Sequence, residues 1–146
     1  MRRSLTGLRR DAAGASAVEF ALILPALCLL FFGILEFGRA MWTREALQET
    51  ATAGARCIAL PQTQCASGGT YNATNATSFV QGVANGWGLT LPSGDITLNA
   101  STSCAGISGF ASVTIAYTFQ TVVPNYVPFG TSGIILNTQA CFPLQS

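Results

Sequence analysis

Histidine and lysine are absent from this chain, and side chains of either charge are scarce, at 9% of the sequence. The scarcity is uneven. After Arg56 the one formally charged side chain is Asp95. General acid–base catalysis needs a positioned proton carrier, and a serine or threonine nucleophile needs a base beside it; a solitary aspartate provides neither arrangement. With no histidine and no cysteine pair at zinc-ligand spacing, a metal site lacks donors. With no lysine and a net charge of +1, a basic patch for nucleic acid has little to build on. The C-terminal part is therefore expected to hold no enzyme site, metal, cofactor or nucleic-acid surface.

What is present is a long apolar run. Between Phe20 and Leu35 there is no charge at all. A bilayer-spanning helix needs about 20 predominantly apolar residues, which Ala17 to Phe37 provides if Glu19 and Glu36 stand near its two boundaries. Arg2, Arg3, Arg9 and Arg10 precede the run, opposed only by Asp11, whereas Arg39, Arg44 and Arg56 follow it among Glu36, Glu45 and Glu49. That asymmetry favours a cytoplasmic N-terminus and an exported C-terminal part. A secretory signal would place a small-residue cleavage site after its apolar run; here Leu35 is followed by EFGRAMW, a poor match. Cleavage ahead of the run remains open.

The five cysteines divide by compartment. Cys28 lies in the apolar run as a small apolar residue. Cys57, Cys65, Cys104 and Cys141 fall in the exported part, where an oxidising space suits two disulfides. Four cysteines allow three connectivities, and spacing alone does not choose among them. Cys57 with Cys65, closing a short loop around Pro61, and Cys104 with Cys141, tying the tail to a sheet, is the preferred pairing.

The chain reads as three parts: a basic cytoplasmic leader (1–14), a transmembrane and stalk helix (15–60) and an exported disulfide-containing domain (61–146). Beyond the apolar run, Phe37, Met41, Leu47, Ala51, Ala55 and Ile58 recur at spacings of three to six and leave Arg44, Glu45, Gln48 and Glu49 for a solvated face. Pro61 ends the pattern. A helix from Ala15 to Leu60 would be roughly 70 Å long at 1.5 Å per residue, more than twice a hydrocarbon thickness. After a loop, PQTQCASGGTYNATN, a short helix is expected over Thr77 to Trp87, with Phe79, Val80, Val83 and Trp87 on one side and Asn75 or Thr77 as N-cap.

Strands follow. Ile96, Leu98 and Ala100 alternate with polar residues; Ala111, Val113, Ile115, Tyr117 and Phe119 alternate within Phe110 to Gln120; a last strand spans Ile134 to Cys141. The expected fold class is α+β: a long N-terminal helix, then a small domain with a short helix and a three-stranded antiparallel sheet, one face covered by both helices. The proline-framed VVPNYVPFG at 122–130 reads as a loop capping the sheet, with a docking patch as the alternative. Asn72, Asn75 and Asn99 begin Asn-x-Ser/Thr triplets, which arise easily by chance in sequence this rich in Asn and Thr.

The order of features at the N-terminus is specific. A basic leader, then Gly14, then Ala15-Ser16-Ala17-Val18, then Glu19-Phe20 opening the apolar run, resembles a type IV prepilin processing site. The resemblance implies a prepilin peptidase cutting between Gly14 and Ala15 on the cytoplasmic side, with Glu19 as the fifth mature residue. A carboxylate at a bilayer centre costs about 2.5 to 3.5 kcal/mol, less near a helix end, and is normally paired. The new α-ammonium of one subunit pairing with Glu19 of its neighbour would couple that cost to assembly. EFALILPALCLLFFGILEFGRAMW followed by ALQETATAGAR is similar to the TadE-like pseudopilins of the tight-adherence pilus system. The family's shorter major pilins carry Glu-Tyr where this chain has Glu19-Phe20, which favours a minor pilin. The resemblance implies a single-pass precursor in a bacterial inner membrane with its C-terminal domain periplasmic. Its implied partners are the lipid bilayer, the prepilin peptidase, other pilins and the assembly machinery. The alternative is a signal-anchored interaction module that never enters a filament.

Overall fold

A computed structural model describes residues 12–121 and 133–145. The expected leader, up to Asp11, and the loop at 122–130 lie outside the described residues. The chain divides into two units, Met1–Gly38 and Arg39–Ser146. One helix, α1 (Ala12–Ala59), contributes to both.

In the first unit α1 is apolar on every side. Pro25 sits inside the helix without ending it. In water an interior proline costs a helix about 3 kcal/mol, and helices that cross membranes tolerate it better. No described residue from Gly14 to Gly38 is buried. The apolar stretch has a mean hydropathy of 2.5, enough in length and composition to cross a membrane.

In the second unit α1 acquires a buried stripe: Thr43, Ala46, Leu47, Thr50, Ala51, Ala55 and Ile58. The spacing of three and four keeps these side chains on one face. Arg44, Glu45, Gln48 and Glu49 are exposed, as their polarity leads one to expect. The two buried threonines return their hydroxyls to the helix itself, Thr43 Oγ1 donating to Arg39 O at 2.9 Å and Thr50 Oγ1 to Ala46 O at 2.7 Å. Neither is left with an unmet donor.

After α1 comes a two-residue-strand hairpin, β1 (Ala66–Ser67) and β2 (Thr70–Tyr71). Gly68 and Gly69, at φ 61° and 81°, form its turn, a left-handed pair that side chains other than glycine resist. The hairpin sits inside the segment expected to be loop throughout. The second helix, α2 (Ala73–Gly86), starts a turn earlier than Thr77. Its N-cap is Asn72, not Asn75 or Thr77: Asn72 Oδ1 accepts from Asn75 N at 3.0 Å. Asn75 is instead employed sideways, its Nδ2 donating to Ala66 O at 2.9 Å and fastening α2 to the hairpin. The buried stripe of α2 is Ala76, Val80 and Ala84. Phe79 packs partly buried against the core, and Trp87, expected on the same side of the helix as Phe79, Val80 and Val83, lies just past the helix end and is exposed.

A short 3-10 turn (Ser93–Asp95) leads into β3 (Ile96–Cys104), β4 (Ile107–Phe119) and β5 (Ile134–Pro143). They form an antiparallel sheet in the order β3-β4-β5. β4 and β5 pair without interruption from Phe110↔Pro143 to Phe119↔Ile134, whereas the β3–β4 register shifts after Asn99. Ala111, Val113, Ile115 and Phe119 of β4 are buried. Thr97, Asn99, Asn137 and Gln139 on the alternate positions are exposed. That is the one-face-buried alternation of a sheet covered on one side. The covering is close. A Cβ added to Gly54 of α1 would stand 2.7 Å from Val80 Cγ2 of α2 and 3.2 Å from Val113 Cγ2 of β4, so α1 approaches both elements at a point where only glycine fits. The mixed α+β architecture, with a long N-terminal apolar helix and a three-stranded antiparallel sheet, is the one the sequence leads to expect.

Candidate functional site

The expected processing residues stand at the start of α1. Gly14, Ala15, Glu19 and Phe20 are all helical and all exposed. Among the described residues nothing lies within 4 Å of where a Gly14 side chain would be, so no described part of the chain is packed against it there. Ala15 and Glu19 are four residues apart and therefore neighbours on one helix face. Around Glu19, Val18, Leu22 and Ile23 are exposed to 61%, 75% and 63%. A carboxylate thus sits within an apolar surface that no described part of this chain covers. Such a surface suits either lipid or the equivalent helix of another molecule, and in either setting the carboxylate calls for a cation.

A chain that begins at Ala15 would carry its α-ammonium about 6 Å from Glu19 along the axis, at 1.5 Å per residue. Glu19 would also move from the interior of α1 towards its positive end, where the helix dipole favours an anion. Cutting ahead of Ala15 would therefore change the electrostatic setting of Glu19 without any change in the sequence that follows.

The cysteines pair as Cys57–Cys65, with Cα atoms 5.9 Å apart, and Cys104–Cys141, at 6.5 Å. Cys28 is free and partly exposed within the apolar run. The first disulfide pins the end of α1 to the hairpin, and the second links the edge strands β3 and β5 across β4. By loop-closure entropy the two contribute about 2.5 and about 4 kcal/mol respectively.

Titratable groups elsewhere are sparse. Arg44, Glu45, Glu49 and Arg56 are exposed on α1, and Asp95 is partly buried at the 3-10 turn. Burial pushes the Tyr71 phenol above its ordinary value of 10.0, so it stays protonated at neutral pH and offers no base. Among the described residues no cluster of three or more His, Cys, Asp or Glu side chains could hold a metal ion.

Two contacts were not foreseen. Trp42 of α1 meets Trp87 at the end of α2, edge to face, and the Arg39 guanidinium lies over the Phe119 ring. A signal for the first existed: the chain has only two tryptophans, and Trp42 follows the apolar run where an interfacial aromatic is common. The partner was hidden because Trp87 reads as the last apolar position of an amphipathic helix.

Fold and exposed helix together define a protein with a membrane-length apolar helix followed by a small disulfide-bonded α+β unit. Within that class, residues 14–56 match the family model described as TadE-like protein. The match opens at Gly14, takes in Glu19 and the whole apolar run, and ends at Arg56, just before the first disulfide cysteine. No curated protein and no solved structure matched the chain.

Proposed function

We propose that this chain is a minor pilin, or pseudopilin, of a tight-adherence pilus. It is made as a single-pass precursor in a bacterial inner membrane, with its N-terminus cytoplasmic and its disulfide unit periplasmic. A prepilin peptidase removes the leader between Gly14 and Ala15. The mature α1 then packs beside the helices of other pilins within the assembly machinery. On this reading the chain performs no catalysis; it is a peptidase substrate and a structural subunit.

The observation that carries the proposal is the conjunction at the start of α1: a TadE-like match that begins at Gly14, and an exposed carboxylate, Glu19, at the opening of the apolar run. An isolated anion in lipid is costly, and a neighbouring subunit's α-ammonium compensates it only when the helices are in register. Glu19 thereby makes correct assembly more favourable than dispersal in the bilayer.

The second reading, a signal-anchored interaction module, draws on one observation: the family match ends at Arg56, before the first disulfide cysteine, and takes in none of the hairpin, α2 or the sheet. The substitution Glu19→Ala separates the two. For a pilin, membrane insertion of the variant is unchanged, because an unfavourable anion has been removed, while recovery of the subunit in sheared pilus fractions falls at least tenfold. Undiminished recovery of Glu19→Ala in those fractions would sink the pairing role.

A further inference from the structure

The chain's two tryptophans come from different elements, and they touch. Trp42 lies on α1 and Trp87 at the C-terminal cap of α2; their ring centroids are 5.7 Å apart and their planes inclined at 72°. An aromatic pair in this geometry ordinarily helps fill a core. Here the two rings remain 61% and 41% exposed. Arg39, three residues before Trp42 and hence its neighbour on α1, places its guanidinium 5.2 Å from the centroid of the Phe119 ring and donates from Nη2 to Gln120 O at 3.5 Å. Three elements, α1, the end of α2 and the end of β4, therefore converge on a collar of indole rings and one arginine.

We propose that this collar is a lipid-contacting surface: Trp42 and Trp87 together occupy the headgroup layer of the bilayer that α1 enters, and seat the disulfide unit against the membrane. The proposal rests on α1 spanning a bilayer and is independent of whether the chain joins a pilus.

The position along α1 fits that layer. Trp42 lies about 8 Å beyond Phe37 at 1.5 Å per residue. The polar layer on each side of a 30 Å hydrocarbon core is about 5 to 8 Å deep. Indole rings favour this zone because one edge is polar and the faces are apolar. Arg39, one turn nearer the apolar run than Trp42, is held within the unit by the Phe119 ring and Gln120 O, so the indole rings are the groups offered to lipid. Charge near the collar is balanced: on α1 Glu45, three residues after Trp42, stands beside Arg44, and from Cys57 onward the chain has one acidic side chain, Asp95, so the ends of α2 and β4 set little negative charge against lipid phosphates. One tryptophan on α1 would mark a depth only. A second, brought by α2, fixes which way the unit faces.

The test uses the full chain in phosphatidylcholine–phosphatidylglycerol vesicles containing lipids brominated either near the glycerol end or near the tail end of the acyl chain. The variants Trp42→Phe and Trp87→Phe leave one indole each, and non-reducing mass analysis verifies both disulfides. Each remaining tryptophan is expected to be quenched at least twofold more by the shallow-brominated lipid than by the deep one. The unsubstituted chain is expected to show the same preference, so the measurement does not depend on the variants folding. If Trp87 is quenched by neither lipid while the chain resists carbonate extraction, α1 is inserted and the collar proposal is wrong. A blue-shifted Trp87 emission that depends on protein concentration would show a second copy covering the pair and would equally overturn it. Release of the chain by carbonate would instead strike at the spanning reading on which the collar rests.

Discussion

Gly14 to Gly38 and Arg39 to Ala59 belong to one unbroken helix, yet they satisfy opposite demands. In the first stretch large apolar side chains surround the axis; the consecutive residues Leu29, Leu30, Phe31 and Phe32 point to four different sides of the helix and all are exposed. In the second, the buried positions are filled mainly by small residues, Ala46, Ala51, Gly54 and Ala55, with Leu47 and Ile58 as the larger members. Large side chains all round a helix need an apolar solvent. Small ones on one stripe allow a second helix and a sheet to come close, as Gly54 does to Val80 and Val113. The difference shows that a helix can change its surroundings midway without a break in backbone structure, through side-chain size and placement alone.

That contrast can be broken deliberately. The largest expected effect comes from truncating the same residue type in the two stretches. Leu47 is fully buried whereas Leu27 is 55% exposed. Leu47→Ala should destabilise the disulfide unit by about 2 to 5 kcal/mol, and Leu27→Ala should leave its denaturant midpoint unmoved; equal losses in the two variants would show that the stretches are not separate environments. Gly54→Val sharpens the point about size. Its added carbons would overlap Val80 and Val113, costing about 1 to 3 kcal/mol, whereas Gly33→Val, with nothing within 4 Å, should cost the unit nothing in the same unfolding measurement. The smallest effect runs the other way. Ser112 Oγ is buried on β4 without a hydrogen-bond partner among the described residues, so Ser112→Ala removes an unmet polar group and should stabilise the unit by about 1 kcal/mol, read as a rise in Tm.

Much of this was legible in the residues because it depends on period and charge. The apolar run needs no periodicity to be recognised, and the alternation in β3 and β4 fixes which side chains turn inward. The preferred cysteine pairing agrees with the disulfides found, since a short covalent loop and a tail-to-sheet link suit the element order. What could not be read depends on three-dimensional convergence. Asn72 caps α2 because the hairpin turns the chain tightly enough for the helix to begin at Ala73, and composition there says only loop. Trp87 turns away from the core because α2 ends one residue before it, a boundary that an apolar pattern does not mark. Gly54 was one small residue among several in ATAGAR until its neighbours on α2 and β4 were known. At the start of α1, the type and order of Gly14, Ala15, Glu19 and Phe20 were readable from sequence; the additional information is that all four lie exposed on one helix.

The central claim is that α1 becomes a pilin helix by losing everything ahead of Ala15. Intact-mass and N-terminal analysis of the chain extracted from membranes tests it most directly, in cells with and without prepilin peptidase activity. The account predicts a mature form starting at Ala15 in the first case and an uncut form in the second. A chain that keeps its residues ahead of Ala15 in the presence of the active peptidase would contradict it.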